Sequence, residues 1–290
     1  MSVVWLNGEL VDRETASVSV FDHGLLYGDG CFEGIRVYNG RVFKLRSHLE
    51  RMYASAEYIS LKPKYTIDEI SDAVHETVRR NDCGNGYIRL VFTRGVGTLG
   101  LNPFLCPEST AFVIAEDITL YPEDMYEQGL PIIVAHRRRI PMDCLDPEIK
   151  SLNYLNNILA KVESINAGVL EALMLNMDGH VAECTGDNIF VIKDGRISTP
   201  STAAGILHGI TRQFVMEEIA PALGYEVQER FFDLAEVFNA DELFLTGTAA
   251  EVIGVNRVDD TTIGDGKVGP ITAACVEEFR KRTRSDAPED

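Results

Sequence analysis

Basic residues are scarce in this chain: 27 Lys and Arg stand against 45 Asp and Glu among 290 residues, for a formal charge of −18. A field of that sign repels a phosphate backbone, so no nucleic-acid partner is expected. An anionic small molecule stays possible, because a local Arg or a helix N-terminus can reverse the field inside a cleft. Long hydrophobic runs are missing as well. The longest, Ala111 to Ala115, is far short of the roughly 20 residues that span a bilayer, so no membrane partner is expected either. The opening MSVVWLNGEL has no basic stretch leading into an apolar segment, which leaves no secretory signal in view and a cytoplasmic location as the expectation. Cysteine is sparse, at six positions (31, 83, 106, 144, 184 and 275) with no C-x-x-C and no histidine at ligand spacing. These read as reduced, mostly core thiols, and no metal site is expected.

With 45% apolar and 25% charged residues, the chain suits one large globular domain or two modest ones. Asn-Gly at 7–8 and again at 39–40, each between apolar stretches, is the signature of a type I′ hairpin. Ser47 with Glu50 makes a capping-box pattern, and Leu49, Met52, Tyr53, Ala56 and Ile59 follow at helical spacing. A second helix fits 67–80, and YIRLVFTR and AFVIAEDI read as strands, completing a first α+β domain over residues 1–121. The acidic, polar run 122–129 reads as a linker. Beyond it come the strand PIIVAHR and a helix whose apolar positions 152, 155, 158, 159, 162 and 165 share one face, closed by Gly168. Asp-Gly hairpins follow at 178–179 and 194–195, then a helix from Thr211 and a last one after Gly269-Pro270. Residues 130–290 thus form a second domain. Strands that arrive in hairpins, without regular βαβ units, make the class α+β.

Gly95-Val96-Gly97-Thr98-Leu99-Gly100 has the letters of a dinucleotide fingerprint, yet the irregular Leu101-Asn102-Pro103 follows where a helix should open. A glycine-rich loop is the better reading. Gly209-Ile210-Thr211-Arg212 precedes a helical pattern and could hold an anion on its N–H groups, or could be a simple threonine N-cap. Thr246-Gly247-Thr248-Ala249 is a second small-residue turn, after an apolar strand. Lys150, just ahead of a helix, is a covalent catalyst only if desolvated or set beside positive charge; a solvated lysine is the alternative. Glu183, on a hairpin strand, and the six histidines carry no local signal of their own. On its helix Arg51 lies about 200° from Leu49, at 100° per residue, which by itself points it to solvent.

Several of these segments act together. Glu183-Cys184-Thr185-Gly186-Asp187-Asn188-Ile189-Phe190, Ile197-Ser198-Thr199 and Leu207-His208-Gly209-Ile210-Thr211-Arg212 resemble the long signature of class IV pyridoxal-phosphate aminotransferases, at that family's spacing. The likeness extends to Tyr27-Gly28, Phe32-Glu33-Gly34-Ile35-Arg36, Tyr87-Ile88-Arg89, Lys150-Ser151-Leu152-Asn153-Tyr154-Leu155, Thr246 to Glu251 and Gly266 to Pro270, and so covers nearly the whole chain. Within the class it is nearest the branched-chain amino-acid aminotransferases. The resemblance implies a two-domain fold-type IV enzyme with the D-amino-acid aminotransferase-like fold and pyridoxal 5'-phosphate as cofactor. The activity implied is exchange of amino groups between Leu, Ile or Val and 2-oxoglutarate.

By the same resemblance, Lys150 binds the cofactor covalently and moves the proton at the substrate Cα. Glu183 pairs with the pyridine nitrogen, and Tyr154 meets the cofactor O3′. Arg51, Ile210, Thr211 and Thr248 hold the phosphate, and Leu207 packs against the ring. Tyr27, Phe32, Arg36 and Arg89, with Thr248 and Ala249, take the substrate. The loop Gly95 to Pro103 resembles one that reaches into a partner subunit's active site, which implies a homodimer. Alternatives on the same fold are D-amino-acid or (R)-amine transaminases and aminodeoxychorismate lyases. The D-specific enzymes carry Arg-x-His after the strand corresponding to YIRLVFTR, where this sequence reads VGTLGLNP. Cys184 and Asp187 depart from the Gly and Glu more usual in branched-chain relatives.

Overall fold

The computed structural model describes residues 2–118 and 121–285. The chain divides into two compact units, the first made of residues up to 118 together with 149–153, the second of 121–148 and 154–285.

In the first unit, Asn7 and Gly8 take positive φ (49° and 99°) between β1 (Val3–Leu6) and β2 (Glu9–Asp12). Asn39 and Gly40 do the same (51° and 78°) between β3 (Gly30–Tyr38) and β4 (Arg41–Val42), as a type I′ turn requires at both central residues. With β5 (Gly86–Thr93) and β6 (Thr110–Asp117) they form a six-stranded antiparallel sheet in the order β2-β1-β6-β5-β3-β4. A short α1 (His23–Tyr27) precedes β3, while α2 (Leu45–Tyr58) and α3 (Ile67–Arg80) supply Leu49, Met52, Ile70 and Val74 to a core shared with Ile35, Val37, Ile88 and Leu90. Thr66 and Glu69 cap α3 reciprocally. The capping box expected at Ser47 is not formed: α2 starts earlier, behind Lys44 in a left-handed turn, and Glu50 accepts a hydrogen bond from Arg46 instead. The two-residue period of β3 turns Cys31, Ile35 and Val37 toward this core and Phe32, Gly34 and Arg36 to the opposite face. Residues 150–152 run antiparallel along the first part of β3: the N–H of Phe32 donates to the Lys150 carbonyl and that of Leu152 to the Gly30 carbonyl, both at 2.9 Å.

The second unit is built on a mixed sheet. Its strands are β7 (Leu130–Val134), β8 (Glu171–Leu175), β9 (Val181–Cys184), β10 (Asn188–Lys193), β11 (Arg196–Pro200), β12 (Val227–Arg230), β13 (Glu242–Gly247) and β14 (Glu251–Val258), in the order β12-β11-β10-β13-β14-β7-β8-β9. A short β15 (Thr261–Thr262) pairs with β14. The pairings of β11 with β12, β14 with β7 and β7 with β8 are parallel, and the Asp194-Gly195 turn joins β10 to β11 as expected. The core runs through Leu130, Leu173, Val181, Ile189, Leu243 and Ile253.

The stretch read as a linker instead carries α4 (Glu123–Gln128), whose Tyr126 is buried and donates its hydroxyl to the Ala250 carbonyl. Met125 and Tyr126, set among acidic and amide side chains in the sequence, both pack on the core of this unit and so seat the helix. The helix α5 (Leu155–Asn166), closed by Gly168 at φ 75°, reverses its expected orientation: Asn157, Ala160 and Ser164 are buried, while Leu155, Ile158, Val162 and Ile165 are exposed. Polar groups go inward because Asn157 has partners there, in Arg139 and the Thr185 carbonyl.

The remaining helices follow in chain order. A helical rod begins as α6 (Ile210–Phe214), widens into a π turn (Val215–Ile219) and ends as α7 (Ala220–Ala222). Gly209, with no side-chain hydrogen bond, is the N-cap of α6, so Thr211 lies inside the helix and is no cap. Beyond it are α8 (Leu234–Phe238) and α9 (Pro270–Arg284), the latter opening with Pro270 at its first position.

Candidate active site

The face of β3 turned away from the core meets β5 with Phe32 opposite Val91, Gly34 opposite Arg89 and Arg36 opposite Tyr87. Gly34 is the enabling residue: a Cβ there would sit 2.0 Å from the Tyr87 hydroxyl oxygen. The Arg89 guanidinium lies 4.5 Å from the centroid of the Phe32 ring, and Lys150 Nζ lies 4.8 Å from the same centroid. Two of the expected site residues are thus gathered on the ring of a third. Lys150 is half-buried and held by its backbone, whose N–H donates to Ser55 Oγ at 3.2 Å. Arg36 is buried on the same face, with its guanidinium 4.9 Å from the Tyr38 ring centroid. Tyr27, at the end of α1, is exposed and its hydroxyl accepts from the N–H of Gly100, which ties it to the glycine-rich loop. Apart from an isolated bridge of Val96 to Asp22 and a 3-10 turn at Pro103–Leu105, that loop is irregular, as its sequence led us to expect.

Arg51 does not point to solvent. Its Nε and one Nη each donate at 2.7 Å to the two oxygens of Glu33, a fully buried carboxylate on the core side of β3 that also accepts from His48 Nδ1 at 2.8 Å. Burial alone would raise the Glu33 pKa, but the charges and hydrogen bonds of Arg51 and His48 outweigh it and hold the group well below the usual carboxylate range. Burial lowers the His48 pKa, against the opposing pull of the Glu33 charge and hydrogen bond. The long flexible stem of an arginine defeats a helical-wheel reading here: the Cα faces away from Leu49 and the guanidinium still reaches inward.

In the second unit, Glu183 on β9 is buried, with Oε1 2.8 Å from an Arg139 Nη. Its Oε2 accepts from Asn188 Nδ2 at 3.1 Å and from the backbone N–H of Leu207 at 3.0 Å. Asn188 also donates to the Leu207 carbonyl, so Glu183 and Leu207 are locked together. Gly209 permits this approach, because a Cβ there would meet Asn188 Oδ1 at 2.1 Å. Ile210 and Thr211 open α6 with no side-chain cap, so their N–H groups suit an anion. Thr248 and Ala249 occupy the turn between β13 and β14, and Ala249 and Tyr154 line one cavity of about 320 Å³ with Tyr121, Lys161, Glu171 and Asp187. Beside that cavity Asp187 is buried, and burial together with the Glu171 charge pushes its pKa up to about 8.

Sequence reasoning missed Arg139, Glu33, His48 and Asn188 as members of these clusters. Arg139 sits in the run Arg137-Arg138-Arg139, which in an acidic chain reads as surface charge; nothing local marks the third as buried.

The residues present fit the cofactor that the sequence signature implies. A half-buried amine, a buried carboxylate that accepts from three donors, and an uncapped helix start supply the group types that an aldehyde, a pyridine nitrogen and a phosphate need. Residues 30–258 match the family model for class IV amino-transferases. The chain belongs to the class IV pyridoxal-phosphate-dependent aminotransferases, with the fold-type IV architecture. A Methanocaldococcus jannaschii protein, provisionally named a branched-chain-amino-acid aminotransferase, is 48% identical over 277 residues, which span 96% of this chain and 95% of that one. The branched-chain-amino-acid aminotransferase of Escherichia coli K12 is 35% identical over 288 residues, spanning 95% of this chain and 91% of that one. Among solved structures, a branched-chain amino acid aminotransferase of T.th. with pyridoxamine 5'-phosphate gives a TM-score of 0.95 at 36% identity, covering 99% of this chain and 96% of that one. The same enzyme complexed with N-(5'-phosphopyridoxyl)-L-glutamate gives a TM-score of 0.93, with the same identity and coverage.

Proposed function

We propose that this chain is a branched-chain aminotransferase, passing amino groups between Leu, Ile or Val and 2-oxoglutarate in two successive half-reactions on pyridoxal phosphate. The observation that carries this reading is the Phe32 ring with Arg89 and Lys150 over it. An aromatic wall suits an aliphatic side chain, and the guanidinium over that ring suits the second carboxylate of glutamate or 2-oxoglutarate. The phosphopyridoxyl-L-glutamate held by the T.th. enzyme supports glutamate as one of these substrates. The stretch VGTLGLNP, without Arg-x-His, speaks against the D-specific alternative.

Bound pyridoxal phosphate supplies an electron sink for the pair left at the substrate Cα. Lys150 provides the amine that binds the cofactor and then carries the proton to and from the Cα. Glu183 would hold a proton at the pyridine nitrogen, Tyr154 would meet O3′, and Leu207 would pack against the ring. Arg51, Ile210, Thr211 and Thr248 bind phosphate, while Tyr27, Phe32, Arg36, Arg89, Thr248 and Ala249 bind substrate. We further propose a cytoplasmic homodimer; among the described residues no helix is long and apolar enough to cross a membrane.

The test is kcat/KM for L-leucine, L-glutamate, D-alanine and (R)-1-phenylethylamine in the wild type and in Arg89→Leu. A buried charge-assisted hydrogen bond contributes about 1.5–3 kcal/mol, so the variant should lose at least about tenfold on glutamate and far less on leucine. D-Alanine or the amine as best wild-type donor would overturn the branched-chain reading. An equal loss on all substrates would remove Arg89 from its carboxylate role.

A further inference from the structure

We propose that Arg139 is a positioning residue for the cofactor, one that keeps Glu183 ionised and aimed so that the pyridine nitrogen stays protonated. The proposal rests on the reading of Glu183 given above and goes beyond it by naming what sets the charge of that carboxylate. Arg139 and Glu183 are both buried, and their Nη and Oε1 atoms are 2.8 Å apart. A guanidinium stays charged at any working pH, so it favours the anionic form of a carboxylate placed against it in a desolvated setting. The Asn188 amide and the Leu207 N–H, which also donate to Glu183, are neutral dipoles that orient it without supplying charge.

Arg139 is itself fixed. Its backbone N–H donates to the Leu175 carbonyl at 2.8 Å, and its Nη1 donates to Asn157 Oδ1 at 2.8 Å. Asn157 in turn donates to the Thr185 carbonyl at 2.9 Å, just beyond Glu183 on the same hairpin. The side chain thus reaches Glu183 from a clamp between β8 and the start of α5. This is also why α5 turns its asparagines inward. Nε of Arg139 is buried with no hydrogen-bond partner among the described residues, a penalty that is hard to explain if the residue served packing alone. Without the guanidinium, a buried Glu183 would take up a proton or lose its fixed direction. Either outcome removes the anion that holds the ring-nitrogen proton, and with it the capacity to accept electrons from the Cα.

The experiment compares Arg139→Lys, Arg139→Gln and Arg139→Met with Glu183→Gln, each reconstituted with pyridoxal phosphate labelled with ¹⁵N in the ring. The nitrogen resonance reports protonation directly, and steady-state kinetics with L-leucine are measured alongside. Arg139→Lys retains the charge and should keep the wild-type resonance. Arg139→Gln and Arg139→Met should move it toward the unprotonated position, as Glu183→Gln does, with kcat lowered on the order of tenfold and KM for leucine little changed. A merely structural role would lower thermal stability and leave the resonance in place. If Glu183→Gln moves the resonance and neither uncharged Arg139 variant does, or if Lys, Gln and Met behave alike, the proposal is overturned while the Glu183 reading stands. If Glu183→Gln leaves the resonance unchanged, that reading itself fails. Should Arg139→Met not fold, the contrast between Lys and Gln decides.

Discussion

At the scale of single residues, the chemistry divides into groups that the sequence signature marks and groups that only burial reveals. Lys150 and Glu183 are of the first kind. Borohydride reduction of the holoenzyme followed by peptide mapping should place the pyridoxyl label on Lys150, and Lys150→Ala should lose turnover by at least the roughly 10²–10⁴-fold that positioned acid–base groups typically contribute. A label on Lys161 or Lys193 would defeat the assignment. Asp187 lies in the same stretch of signature, yet its charge state is of the second kind, revealed only by burial. Burial and the Glu171 charge hold its pKa at about 8, above the range of about 4 for a carboxyl in an unfolded chain. The folded state therefore binds more protons than the unfolded one in between, and the stability that the neutral Asp187 contributes is complete below about pH 4 and is lost as the pH rises through about 8. Asp187→Asn keeps the neutral form at every pH. The variant's Tm relative to the wild type should therefore rise between about pH 5 and about pH 9, and a difference that does not change with pH would mean that Asp187 is already ionised in the fold.

At the scale of elements, the turn before α6 depends on one glycine. A Cβ at Gly209 would press on Asn188, which holds both Glu183 and Leu207, so Gly209→Ala should weaken pyridoxal phosphate binding by about tenfold, roughly 1.4 kcal/mol. Spectrophotometric titration of the cofactor-free variant checks this, and an unchanged affinity would show that Asn188 has room to move. Elements of this kind were legible where a local rule decides them: the Asn-Gly hairpins and the Pro270 start of α9 follow from backbone preferences of a few adjacent residues. They were misread where a distant partner decides. The start of α2 is set by the Lys44 turn that follows β4, and α5 faces inward with its asparagines because Arg139 and Thr185 wait there. The candidate site divides in the same way. Lys150, Glu183 and the glycine turns stand in recognisable strings, whereas His48 and Arg139 stand outside them, and the pairings that tie these two and Glu33 to the clusters span 15 or more residues of sequence, too far for any local pattern to report.

At the scale of the whole molecule, the apolar residues left uncovered are the main clue to assembly. Leu155, Ile158, Val162 and Ile165 on α5, and Leu99, Leu101 and Phe104 on the glycine-rich loop, are exposed in the single chain. A homodimer would give them a partner. Light scattering after gel filtration should then find about twice the 32.1 kDa of one chain, and Ile158→Glu combined with Ile165→Glu should shift the population toward monomer. A wild type that runs as a monomer ends the dimer reading. The order of the chain also shapes how the protein is made. Residues 149–153, with Lys150 among them, complete the edge of β3 although the ribosome delivers them after residues 121–148, which belong to the other unit. At about 5–20 residues per second, the first unit waits roughly two to seven seconds after residue 118 emerges before that edge can close. Nascent chains halted near residue 120 should therefore present an open strand edge that chaperones can occupy, and chains released beyond residue 153 should not.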